Sequence, residues 1–135
     1  MLKNIDQERA KYAYSKVKEI LDNDQELKDK YASKARRFPD MILANGLPQA
    51  LLFLFSNENN NKDLSYQILL SHIRGWFDNN ALIESRIYTY NAPTNEAFVS
   101  CVILERDAHT LCLITSEAIY LANWLKRFAE GLIGN

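Results

Sequence analysis

Two residue types that most often carry chemistry are nearly missing from this chain. Among 135 residues there are only two cysteines, Cys101 and Cys112, and two histidines, His72 and His109. The cysteines lie eleven positions apart with no CxxC spacing, which argues against both a zinc site and a disulfide framework. Glycine occurs four times and proline three times, and no GxxxxGK, GxGxxG, HExxH or GxSxG pattern is present. Phosphate-loop, dinucleotide, metalloprotease and serine-hydrolase chemistry therefore have no sequence support. There is no run of about eighteen apolar residues that would span a bilayer. The opening MLKNIDQERAKYAY is charged from its third residue and has neither the apolar core nor the cleavage site of a signal peptide, so a cytoplasmic chain without membrane contact is expected. An excess of one charge sign is also lacking, because 16 Lys and Arg face 17 Asp and Glu.

What remains is the composition of a folded protein, 47% apolar and 24% charged, at a length that suits one domain spanning residues 1–135. Apolar residues recur at helical spacing almost throughout. In IDQERAKYAYSKVKEIL, Ile5, Ala13, Val17 and Ile20 share a side, which predicts a helix over about 5–22. QELKDKYASKARRF continues with Leu27, Tyr31, Ala35 and Phe38, and this second helix is expected to end near Pro39. Asn45-Gly46 marks a stop and Pro48 a fresh start. The following run from Leu51 to Phe55 is apolar on all sides, which predicts the most buried helix of the fold. NENNNKD reads as a polar loop, with Asp63 as a cap for LSYQILLSHIRGWF.

ALIESRIYTYNAPTN contains strand-forming residues, yet one strand has no partner in a helical chain, so it is read as a loop. EAFVSCVILER then reads as a short helix with Phe98 and Val102 on one side, although its Val, Cys and Ile would also tolerate a strand. Asp107 caps a last long helix whose stripe includes Ile114, Ala118, Leu121, Trp124, Leu125, Phe128 and Leu132, with Gly131 and Gly134 at its end. No repeat of fixed period is visible. The expected fold is all-α, a single compact bundle of about five to seven helices.

Candidate catalytic groups do not assemble. Ser71 and His72 are neighbours on a helix and point about 100° apart, so they cannot form a nucleophile–base hydrogen bond. His109, in the first turn of the last helix, is best read as an ordinary surface or partly buried histidine, and no enzyme activity and no cofactor are expected. Charge is distributed unevenly along the chain. Residues 1–37 hold ten Lys and Arg against seven Asp and Glu, whereas residues 38–107 hold four against eight. Binding a phosphate backbone needs only a local basic face, and the first third can supply one. Lys11 and Lys18 are seven apart and aligned, Lys34 and Arg37 are three apart with Arg36 splayed, and Lys126 and Arg127 lie opposite the Trp124 and Phe128 side of the last helix. The alternative for Lys126 and Arg127 is a solvated pair at the negative end of the helix dipole.

ERAKYAY, KYASKARRFPDMILANGL followed by QALLFL, HIRGWF and NWLKRFAEGL, in that order across most of the chain, resemble the small subunit of the type III-B CRISPR effector, the Cmr complex. The resemblance implies a non-catalytic, all-α subunit that stacks in several copies with other Cmr-type subunits along the guide RNA and the target RNA strand. It places the family's basic positions on Arg9, Lys11, Lys34, Arg36, Arg37, Lys126 and Arg127, to which the alignment with Lys11 adds Lys18. Arg9 borders the apolar stripe, where pairing with an acidic neighbour is the other reading. Two departures stand out. NGLPQ has Pro48 where the family pattern has glycine, and the segment from Ala81 to Arg106 matches poorly. The competing reading is a purely structural helical adaptor that binds only protein partners.

Overall fold

A computed structural model describes residues 4–78, 80, 92–104 and 106–134. Six α-helices are described: α1 Ile5–Ile20, α2 Gln25–Asn45, α3 Leu47–Ser56, α4 Ser65–Phe77, α5 Asn95–Leu104 and α6 Ala108–Phe128, the last followed by a π-helical turn, Ala129–Ile133. There is no strand among the described residues. The reading of ALIESRIYTYNAPTN as a loop falls on residues 81–91, outside those described, except for its last four positions.

Short polar side chains start the helices by accepting from amides that lack an intrahelical partner. Asn4 accepts from the amides of Asp6 and Gln7 at 2.9 and 3.2 Å, Asp24 from Leu27 at 2.9 Å, and Asp107 from Thr110 at 2.7 Å. Thr94 does the same for Ala97 at 3.1 Å. Asp63 accepts from the Ser65 amide at 3.0 Å and also from its hydroxyl. Gly46 ends α2 at φ +86°, a left-handed conformation that an L side chain would strain, and Pro48 sits in the first turn of α3.

Helix α2 is the central element. It packs against α6, α4, α3 and the π turn, while α1 lies on α6 and α5 lies on α3 and α4. Tyr31, Ala35, Phe38 and Ile42 form its buried face. Two expectations need correction. Helix α2 does not end at Pro39 but runs through it to Asn45. Burial of Phe38 and Ile42 on either side, about 1.5–3 kcal/mol for each side chain, offsets the lost hydrogen bond. Helix α3 is not the most buried helix, because Leu52 and Phe53 are 38% and 39% exposed while Leu47, Ala50, Leu51 and Leu54 face the core. Likewise Leu121 and Leu125 of α6 are fully buried, Trp124 and Phe128 are half-buried, and Leu132 is exposed. Among the described residues no helix is long and apolar enough to cross a membrane.

Candidate nucleic-acid interface

The eight basic residues singled out in the sequence separate into two groups by burial. Arg9 and Lys34 are inside. Arg9 projects from α1 toward α6 and is 5% exposed; its Nε and Nη2 donate to the two Glu117 carboxylate oxygens at 2.6 and 2.7 Å. Its Nη1 reaches Asp6 at 3.1 Å, and its guanidinium lies 4.7 Å from the centre of the Tyr120 ring. Glu117 also accepts from the Trp76 indole of α4 at 2.9 Å, so one buried carboxylate ties α1, α4 and α6 together. The hydrogen bonds that Arg9 donates to Glu117 hold the Arg9 pKa above its ordinary value. Asp6 in turn accepts from the Trp124 indole at 2.9 Å. That bond and the Arg9 guanidinium keep the Asp6 carboxyl below the usual carboxylate range.

Lys34 is 9% exposed and donates to Asp63 at 2.7 Å, with the Tyr66 ring centre 4.3 Å from its ammonium. Burial alone would raise the pKa of Asp63, but Lys34 and the hydroxyl and amide of Ser65 reverse this and hold it low. Both buried cations are paired with a carboxylate within the fold.

The other six reach the surface. Lys11, Lys18, Arg37 and Arg127 are exposed, and Arg36 and Lys126 are half-buried. Lys11 stands 3.7 Å from Glu8, and Arg127 stands 3.3 Å from Glu130. Lys18 rests over the Tyr14 ring at 5.6 Å. Tyr14 meets Phe128 edge-on at 5.5 Å between centroids, and Phe128 stacks on Trp124 at 5.9 Å. Through this aromatic row the fold sets Tyr14, with Lys11 and Lys18 on the same side of α1, against the Trp124 and Phe128 side of α6. Arg36 and Arg37 lie on α2, and Lys126 is about 200° around the helix axis from Phe128. No hydrogen bond, ion pair or ring contact among the described residues joins these three, or Arg127, to the aromatic row.

The two histidines occupy different surroundings. His72 is 6% exposed, with Nδ1 at 2.8 Å from the Tyr31 hydroxyl and Nε2 at 3.9 Å from Glu19. Burial, helped by the Lys16 charge, lowers its pKa to about 4, so it is neutral at pH 7. Ser71 bonds with Asn95 and not with His72. His109 is exposed at the start of α6. Among the described residues neither histidine has a hydrogen bond to a serine or cysteine.

Sequence reasoning missed Glu117 and Asp63 as the partners of Arg9 and Lys34. Glu117 carried a signal, since it is an acid placed between Ile114, Ala118 and Leu121 on the core stripe. Asp63 carried none beyond its role as a cap, because only the fold places it opposite Lys34, 29 residues away.

Comparison with known proteins agrees with this architecture. A family model described as CRISPR-associated protein (Cas_Cmr5) matches residues 5–132. The X-ray structure of a CRISPR-associated Cmr5 family protein from Thermus thermophilus superposes with a TM-score of 0.70, at 22% identity over 96% of this chain and 98% of that one. At that identity the superposition establishes the fold, and the family model, spanning every described helix, establishes kinship: this chain belongs to the Cmr5 family of CRISPR-associated proteins.

Proposed function

We propose that this chain is a non-catalytic small subunit of a type III-B CRISPR effector, present in several copies beside other Cmr-type subunits, and that its exposed cations hold the guide RNA and its target strand. The observation that carries the reading is the family match over residues 5–132. The disposition of the cations supports it. Lys11, Lys18, Arg36, Arg37, Lys126 and Arg127 remain at the surface on three helices after Arg9 and Lys34 have been committed to internal ion pairs. Lysine and arginine on a surface contact phosphates and position a strand without reading it, so the sequence is specified by guide pairing. A subunit of net charge −1 offers few contacts alone, and an array of copies sums them.

The test is affinity purification of the tagged chain from its host, with mass spectrometry of the bound proteins and sequencing of the bound RNA. Recovery of Cmr-type subunits with short repeat-derived guide RNA is expected. Unrelated partners without guide RNA would overturn the assignment. A second reading, an adaptor that touches only proteins, is favoured by one feature: the cleft between α3 and α5, lined by Leu52, Phe55, Val99, Ile103 and Leu104, is almost wholly apolar. It predicts a complex that survives RNase intact and still binds target when the surface cations are neutralised.

A further inference from the structure

We propose that the seam between α1 and α6 is a stacking platform for an unpaired base of single-stranded RNA, which Tyr14 receives while Lys11 and Lys18 hold the adjoining phosphates. The inference rests on the nucleic-acid reading above and specifies the form of RNA this face takes. Tyr14 is 43% exposed. Lys11 precedes it by three residues and Lys18 follows it by four, so all three share one side of α1.

Behind Tyr14 the surface is built and held. The Tyr14 ring is backed by Phe128, Phe128 by Trp124, and the Trp124 indole is fixed to Asp6 at 2.9 Å. Asp6 is itself held by the buried Arg9. A ring supported in this way loses little conformational freedom when something stacks on it.

The charges around it favour a strand over other occupants. Glu8 is the carboxylate paired with Lys11, at 3.7 Å on the surface of α1, where such contacts contribute about 0–1 kcal/mol and a phosphate displaces it at little cost. Lys18 has no carboxylate within ion-pair distance among the described residues. Lys11 and Lys18 flank the exposed ring along one side of α1, and Lys18, which rests over that ring, swings aside to meet a phosphate as a base takes its place. That arrangement matches the alternation of phosphate and base in a single strand, whereas a duplex keeps its bases stacked on one another and offers mainly phosphates and sugars.

The experiment uses the assembled complex, purified through a tag on this chain, and a single-stranded RNA carrying 5-iodouridine, which photocrosslinks to stacked aromatic rings. Binding is measured against salt for that RNA and for the same sequence base-paired. Tyr14→Leu is expected to weaken single-strand binding about tenfold with an unchanged salt slope and unchanged duplex binding. Tyr14→Phe, which keeps the ring, should bind like the unmodified chain, and irradiation should crosslink Tyr14. Unaltered single-strand binding by Tyr14→Leu, with Lys18→Gln still lowering the salt slope, would overturn the stacking platform and leave the phosphate clamp standing. If instead either variant releases a subunit without affecting RNA binding, the seam is a protein contact and the platform is overturned. Absence of guide RNA from the unmodified complex is the separate result that would overturn the function itself.

Discussion

Glu117 shows how much one buried carboxylate can organise. It receives two hydrogen bonds from Arg9 and one from Trp76, and it is 4% exposed. Removing one member of a buried pair leaves the other charge without compensation, which costs more than the pair itself contributes. Arg9→Ala is therefore expected to lower unfolding free energy by about 3–5 kcal/mol, measured by urea denaturation. A loss below about 1 kcal/mol would mean that Glu117 finds water or another donor. His72 supplies a residue-scale prediction in pH. Its folded pKa of about 4 lies below the unfolded value of about 6.5, so the unfolded chain binds the extra proton between them. Stability should be full above about pH 6.5 and fall by about 3 kcal/mol as pH drops toward 4. Asp63 and Asp107, both held below the ordinary carboxylate value, lose their contribution only at lower pH still. In His72→Asn the slope across that window should disappear, and urea midpoints measured through it would reveal a slope that persists.

Helices here obey local rules at their starts and tertiary rules in their middles. Asp107 and Pro48 sit where a sequence reading puts them, because capping and the fixed φ of proline act within one turn. Pro39 breaks the local rule. It lacks the amide that would bond Ala35, yet α2 continues because its face lies in the core beside Phe38 and Ile42. Pro39→Ala should restore the hydrogen bond and remove the ring clash, a gain that reduced chain stiffness in the unfolded state offsets in part. The expected outcome is about 1–2 kcal/mol of added stability, and a destabilised variant would show that the buried ring contributes more than the missing bond costs. Helices α1 and α4 meet at another such point. A Cβ at Gly75 would come within 2.5 Å of the Tyr12 hydroxyl, which donates to the His72 carbonyl. Gly75→Ala should therefore destabilise by about 1–3 kcal/mol in the unmodified chain. In a Tyr12→Phe background the clash is gone, and the same change should be neutral or favourable by up to about 1 kcal/mol, as alanine is the better helix former. Equal effects in the two backgrounds would show that the hydroxyl is not the obstacle.

Across the whole molecule, burial sorts eight similar cations into two roles that respond to different measurements. Lys34→Ala should lower the unfolding midpoint, since Asp63 then loses its partner, and should leave the salt dependence of RNA binding by assembled complex unchanged. Arg36→Ala and Lys18→Ala should do the reverse, keeping stability within about 0.5 kcal/mol and lowering the salt slope by about one for each phosphate no longer neutralised. Binding titrations over a range of salt, run beside urea melts, separate the two classes; a Lys34 variant with a reduced slope and normal stability would reverse its assignment.

The all-α architecture, most helix starts and the set of basic positions were determined by the sequence alone, because helical periodicity, capping residues and charge are local properties. Tertiary packing decided the continuation of α2 through Pro39, the outward face of α3 and the fate of each cation. Lys34 and Arg37 look equivalent on one stripe of a helix wheel, but only the fold sets Asp63 against Lys34 and leaves Arg37 at the surface. Whether a charge is buried with a partner or left to meet another molecule depends on residues distant in the chain. That distance is 108 positions for Arg9 and Glu117, and no local pattern spans it.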